Sequence, residues 1–495
     1  MMSSTMTLRE VKEFLPNARY VGEISDAQSQ AINNFVTDSR SVKPGDFFIA
    51  LQGERFDGNL FVKDVLALGA IGALTSDQNQ NEQGAWLVSN TLESMQNLAA
   101  AWRHHLDVKI AVVTGSNGKT TVKEMVASIF RVAAGELGSL STQGNLNNEI
   151  GLPLTLLRLR RDHRLAVIEL GMNHPGETSV LAKIAQADIA LINNAQREHQ
   201  EYMQTVLAVA QEHACVIDAL SKDGVAIFPA DSEYSELWRE HARGRSVIDF
   251  EFINSETKVS TSAATVYGCW MKNGKLKIHT KVFGSIPASE FDIQLSILGD
   301  HNAKNALAAT AIALAAGISI KDIRVGLEKF QPVSGRMQTK SLNLYPQNGL
   351  LIDDTYNANP DSVIAAIDVL SGLPGSRWLV LGDMGEVGTN GPAFHHEIGV
   401  YARQKGIHYL FTTGELSKAS SEGFLSETST HSDENQISAW HFDDVLNLNT
   451  ALQEQVISFS KKETPKKLSI LVKGSRFTKM ERVVNNLLGE VSACC

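Results

Sequence analysis

The chain has 495 residues, which at ~150 residues per domain predicts about three domains. A composition of 43% hydrophobic and 20% charged residues is that of an ordinary globular protein, and four cysteines exclude a disulfide scaffold. A net charge of −10 argues against a general nucleic-acid binder and against a polybasic membrane anchor.

The opening residues, MMSSTMTLRE, lack a charged-then-apolar pattern, so export by a signal peptide is not expected and a cytoplasmic location is. Thr7-Leu-Arg-Glu10 reads as a capping box that starts a helix with Val11, Phe14 and Leu15 on its apolar face. Asp38-Ser39-Arg40 is a charged turn ahead of the strand 46–51. Phe61–Leu68 and Leu92–Trp102 read as helices, and a first boundary is expected at 107/108.

The pattern then becomes strand, glycine loop, helix. Ile110–Val113 is β-branched, Gly115-Ser116-Asn117-Gly118 is the loop, and a helix opens at Lys119-Thr120 with Thr121 behind. Val122, Met125, Val126, Ile129 and Phe130 form one helical face. Backbone N–H groups in such a loop surround phosphate oxygens, with Lys119 on the terminal phosphates and the Thr120 hydroxyl on magnesium. The loop is a shortened form, because the glycine expected five residues before Gly118 is Val113.

Leu165–Leu170, Ile189–Ile192 and Val225–Phe228 read as further buried strands, so a parallel sheet wrapped by helices is expected. Glu169 ends one buried strand and His199 lies just past another; a metal-holding carboxylate and imidazole would stand there, and so would a solvated loop glutamate and a surface histidine. The stretch 259–298 reads as a small antiparallel insert around Asn273-Gly274. A helix from Asn302 to about Ala316 closes the unit; the apolar stretch Ala306–Ile318 is too short to span a bilayer.

A third unit is expected from 332. Its strands are Leu350–Ile352, Trp378–Leu381, Tyr409–Thr412 and Leu468–Val472, with polar clusters at their ends. These are Asp353-Asp354-Thr-Tyr356-Asn357-Ala-Asn359-Pro-Asp361, Gly382-Asp-Met-Gly-Glu386 and Lys473-Gly-Ser-Arg476. Residues 417–438 read as surface loop and a short helix. Met480 to Leu488 reads as the last helix, and the Cys494-Cys495 end as a loose tail.

Taken together these residues resemble the Mur ligase family over essentially the whole chain. The shortened loop marks the wider family, which includes folylpolyglutamate synthetase. Thr142-x-Gly-Asn-x-Asn147-Asn148, Leu298-Gly-Asp-His-Asn302-Ala-Lys-Asn-Ala306 and Gly335-Arg336 narrow it. Asp353 to Asp361 resembles the member that adds a D-alanyl-D-alanine dipeptide rather than a single amino acid.

The resemblance implies an α/β protein of three domains. These are an N-terminal α/β UDP-binding domain (1–107), a central parallel-sheet ATPase domain with the shortened loop (108–331), and a Rossmann-like C-terminal domain (332–495) for the dipeptide. It implies ATP and Mg2+, small-molecule substrates (a UDP-muramoyl tripeptide and D-alanyl-D-alanine), a monomer, and a step of peptidoglycan synthesis. Neither nucleic acid nor membrane insertion is expected.

By family role, Gly115 to Thr121 bind ATP phosphates, Thr120, Glu169 and His199 lie at magnesium, Asn302 meets adenine, Asp354 the ribose and Arg336 the phosphates. Catalysis would rest on Lys119, Glu169, His199 and Arg336. Asp38, Ser39 and Arg40 would meet UDP, Asn147 and Asn148 the muramoyl peptide, and Tyr356, Asn357, Asn359 and Lys473 the dipeptide. One departure stands out: the family's carbamylated lysine, fourteen residues beyond the metal histidine, is replaced by His213, and the nearest lysine is Lys222.

The rival readings are a sister ligase of the family and an ATP-hydrolysing switch without an amino-acid co-substrate. A dinucleotide oxidoreductase is disfavoured, because no Gly-x-Gly-x-x-Gly follows a first strand.

Overall fold

The computed structural model describes residues 5–22, 30–254, 262–344, 348–426, 437–461 and 467–489. The Cys494-Cys495 tail lies outside them. Among the described residues no helix is long and apolar enough to cross a membrane.

Three main sheets organise the chain. The first has five strands, ordered Arg19–Tyr20, Ala85–Leu87, Gly72–Thr75, Phe47–Ile49 and Phe35–Val36. Ahead of it Thr7 caps the helix Leu8–Phe14, with both halves of the capping box formed. The helix Thr91–His105 fastens this unit to the next. Its buried Trp102 donates its indole N–H to the Leu159 carbonyl at 3.0 Å, and Arg103 reaches Asp188 at 3.0 Å. A large aromatic that buries its ring and still pairs its N–H is a strong anchor.

The second sheet has nine strands. Lys109–Thr114 lies between Leu165–Glu169 and Ile189–Ile192, parallel to both. The chain order reverses across this strand, and ligands collect in the crevice beyond the carboxyl end at such a point. The glycine loop occupies that crevice.

The expected antiparallel insert is not separate. Val266–Trp270, Leu276–Thr280 and Ser289–Ile293 continue the same sheet, joined to it by Ser246–Phe252. That joining strand was not singled out from sequence, although the alternation Ile248-Asp-Phe-Glu-Phe252, buried at every second residue, is the usual mark of a half-buried strand.

On one face of this sheet the helices Lys119–Ala134, Asp300–Ala315 and Ile320–Lys329 pack together. Asp300–Ala315 is buried nearly all round, and its alanines let it lie close to its neighbours. Ile320–Lys329 was not foreseen, although Ser319 caps it by accepting from the Asp322 N–H at 3.2 Å.

Gly326 meets the loop-bearing helix at backbone range: a Cβ there would stand 2.4 Å from the Ile129 Cα. Gly326→Ala must therefore push two helices apart and is expected to cost about 1–3 kcal/mol, the range for overpacked cores. Urea unfolding would read this as a lower midpoint; an unchanged midpoint would contradict the close contact.

The third sheet has six strands, ordered Gln338–Leu342, Gly349–Asp354, Leu468–Lys473, Ser376–Gly382, Tyr409–Thr413 and Ser438–Phe442. The first pairs antiparallel and the rest are parallel. The short helix expected in 417–438 is Lys418–Ser426, but it is not a surface element: Ser420, Ser421 and Phe424 are buried. Gly399 and Gly423 let it press against the helix Gly391–Gln404. Residues 427–436 of that stretch lie outside the described residues.

Candidate active site

A cavity of about 800 Å³ opens at the carboxyl ends of the central strands, under the third unit. Of the residues singled out from sequence, Ser116 to Thr121, Asn147, Asn148, Glu169, His199, Asn302, Arg336, Asp354, Tyr356, Asn357, Asn359 and Lys473 all line it. Gly115 sits just behind the wall. Asp38, Ser39 and Arg40 do not line the cavity; they form an exposed 3-10 turn of the first unit. There the Arg40 guanidinium bonds Asp38 at 2.7 Å and holds its carboxyl down at about 2.

The loop is held from one side by residues 193–196. Asn117 N–H donates to Asn194 Oδ1 at 2.8 Å, and the Asn117 carbonyl accepts from Asn193 and Asn194 at 2.8 and 2.9 Å. Gln196 N–H donates to Ser116 Oγ at 2.8 Å. Gly118 has φ +81°, and a Cβ there would stand 2.5 Å from Asn305 Oδ1, so no larger residue fits. The helix that follows aims its N-terminal N–H groups and dipole at the cavity, which favours an anion.

Lys119 folds back along the loop. Its Nζ donates to the Gly115 carbonyl and to Ser116 O at 3.3 Å, and lies 3.4 Å from Glu198 Oε2. Burial opposes the charge on Glu198, yet Lys119, His213 and His199 together hold its carboxyl well below the ordinary range. His213 is fully buried, with Nδ1 3.0 Å from Thr114 Oγ1 and Nε2 3.0 Å from Glu198 Oε1.

Glu169 ends its strand with the carboxylate inside. Oε1 accepts from Asn147 Nδ2 at 2.9 Å, whereas Oε2 is buried without a hydrogen-bond partner among the described residues. An orphaned carboxylate oxygen in a cavity that Thr120 and His199 also line fits a hard divalent cation. Among the described residues no group of three or more His, Cys, Asp or Glu is arranged to hold a metal ion.

The third unit closes the cavity from above through polar contacts. Asn359 caps the helix Pro360–Ser371, and its amide Nδ2 donates to Asn117 Oδ1 at 2.9 Å. Arg197 pairs with Asp361 at 2.8 Å and with Glu397 at 2.9 Å. His199, with φ +46°, places Nδ1 2.8 Å from Glu386 Oε2.

Lys473, 3% exposed, gives its ammonium to Asp354 Oδ2 at 2.7 Å and to the Asn357 carbonyl at 2.9 Å. It thereby joins the residues expected at the ribose and at the dipeptide. Arg336 lies over the Tyr356 ring at 3.9 Å, with its Nε buried and unpartnered among the described residues. Asn302 spends its amide on Leu298 O at 2.7 Å and on Asn305.

Sequence reasoning missed Asn193, Asn194, Gln196, Arg197 and Glu198 as members of the site. The polar run Asn193-Asn-Ala-Gln-Arg-Glu-His199 directly after a strand end was the available signal.

Three family profiles match the chain: "Mur ligase family, catalytic domain" over 31–113, "Mur ligase middle domain" over 113–313 and "Mur ligase, glutamate ligase domain" over 335–476. Among curated relatives, the UDP-N-acetylmuramoyl-tripeptide–D-alanyl-D-alanine ligase of Haemophilus influenzae is 35% identical and covers 99% of each chain. The protein of the same name from Escherichia coli K12 is 35% identical, covering 94% of this chain and 96% of its own. Among solved structures, MurF from Acinetobacter baumannii superposes with a TM-score of 0.82 at 31% identity, covering 99% of this chain and all of its own.

Proposed function

Since the chain belongs to the Mur ligase family, we propose that it is the ATP-dependent ligase that joins D-alanyl-D-alanine to a UDP-N-acetylmuramoyl tripeptide in peptidoglycan synthesis. The observation that carries this reading is a single cavity uniting a phosphate loop with the Tyr356-Asn-Ala-Asn359 rim of a third domain. On this reading 1–107 binds the UDP end, 108–331 the nucleotide, and 332–495 the dipeptide. The enzyme works in the cytoplasm as a monomer.

The chemistry follows from charge. The tripeptide carboxylate attacks the γ-phosphorus of ATP, forming an acyl phosphate and releasing ADP. The dipeptide amine then attacks the acyl carbon, and phosphate leaves as the amide forms. Lys119 and Arg336 neutralise the transferred phosphoryl group, and the loop N–H groups orient it. Thr120, Glu169 and His199 would hold magnesium, whose charge lowers the cost of the electron density gathering on the phosphoryl oxygens. Closure of the third domain excludes water from the acyl phosphate.

The testing assay measures ADP release with UDP-muramoyl tripeptide, with and without D-alanyl-D-alanine. Turnover is expected only with both substrates present; steady ATP hydrolysis without any amine would favour a switch instead.

Asn357 is exposed on the cavity rim, where an amide serves both the N–H and the C=O of a dipeptide. Asn357→Ala is expected to raise the KM for D-alanyl-D-alanine by about tenfold, the worth of one good hydrogen bond. ADP affinity by titration should stay put; the reverse pattern would give this residue to the nucleotide.

Activity is also expected not to respond to added bicarbonate. His213 forms no stable carbamate, and Lys222 is exposed and does not line the cavity. Recovery of acid-treated enzyme on bicarbonate would show that a lysine carries the role after all.

A further inference from the structure

We infer that Glu198, seated by His213, is a further acidic ligand for the divalent cation of this site, standing where the chain has no lysine to carbamylate. The inference rests on the nucleotide reading above. His213 itself cannot take the role. It is fully buried, does not line the cavity, and has both ring nitrogens engaged.

An ionised carboxylate only accepts, so Nε2–H donates to Glu198 Oε1, while Nδ1 pairs with the Thr114 hydroxyl on the other side of the ring. Thr114 ends the central strand Lys109–Thr114, so the imidazole is tied to the sheet itself.

Glu198 is thereby aimed. It is 5% exposed and lines the cavity. Its Oε1 is taken by His213, while Oε2 lies 3.4 Å from Lys119 Nζ and 3.9 Å from His199 Nε2. One carboxylate oxygen therefore stands between the lysine placed for the phosphates and the histidine placed for the metal. Lys119 is the partner it would yield when phosphate arrives, because that ammonium then has a stronger anion to meet. The bared oxygen is a hard donor, suited to magnesium.

The alternative is that Glu198 only neutralises Lys119. Binding separates the two. Mn2+ serves as the probe, titrated into the protein–ADP complex and followed by electron paramagnetic resonance, beside calorimetric ADP binding in chelator. Glu198→Gln is expected to weaken Mn2+ binding by about tenfold or more while ADP affinity in chelator is kept. His213→Ala should weaken Mn2+ binding by about 10–100-fold, the usual effect of losing an outer partner, and His213→Gln, which can present an N–H near the Nε2 position, should recover part of it.

Mn2+ binding unchanged in Glu198→Gln would overturn the proposal and leave Glu198 a counter-ion. If that variant does not fold, Glu198→Asp and the His213 pair carry the same test, and a His213→Ala protein with unaltered Mn2+ binding would equally overturn it. Failure of the unaltered protein to bind ADP would instead overturn the nucleotide reading beneath it.

Discussion

Replacing Lys119 by alanine is expected to lower kcat by about 10²–10³, the usual loss when one donor to the developing charge is removed. The lysine is well placed for this role. Two loop carbonyls and Glu198 hold it at the mouth of the helix Lys119–Ala134, so little side-chain freedom remains to be lost when phosphate binds. The fold should survive, because the loop is held by Asn193, Asn194 and Gln196 rather than by the lysine. Steady-state turnover with every substrate saturating, beside far-ultraviolet circular dichroism, checks both halves. Near-normal turnover would remove the phosphate-loop assignment.

Arg197→Ala is expected to reduce kcat/KM for the dipeptide by about 10²-fold, the cost of misplacing reacting groups by an ångström or so. Arg197 belongs to the central domain, but both its ion-pair partners belong to the third. Its backbone N–H and guanidinium grip Asp361, and Nη1 reaches Glu397 at 2.9 and 3.1 Å, with the guanidinium 5.3 Å from the Phe394 ring centre. A planar fork meeting two carboxylates fixes angle as well as distance, which a lysine would not. Without it the third domain should sit more loosely, visible as a larger radius of gyration in solution scattering. Unchanged scattering and kinetics would show that the clasp is incidental.

Much of this site was legible because its strongest signal is local. A β-branched run, two glycines and Lys-Thr lie within a dozen residues, and each makes sense only beside the others. Asp354, Asn357 and Glu386 were legible as strand-end polar clusters. Glu198 and Arg197 were not, because their chemistry is decided by partners far along the chain: Lys119, His213, Asp361 and Glu397.

The fold divides in the same way. Fully buried central strands announce themselves as apolar runs. The edge strands Gln338–Leu342 and Ser438–Phe442 are only partly buried and carry no continuous apolar run. The helix Lys418–Ser426 was expected as a short helix, but its burial was hidden: close contacts are made through Gly and Ser, which read as surface residues until a second helix is found to lie against them.

The amide pair Asn117–Asn359 makes the loop and the cap of the helix Pro360–Ser371 direct neighbours. Whatever factor a bound nucleotide contributes to dipeptide affinity, the dipeptide must return to the nucleotide, since the coupling is one free energy counted from two ends. A compound seeking the dipeptide groove therefore meets a different target when the neighbouring site is filled. In a cell rich in ATP that is the usual condition, so potency measured on the nucleotide-free protein would misjudge it by the same factor.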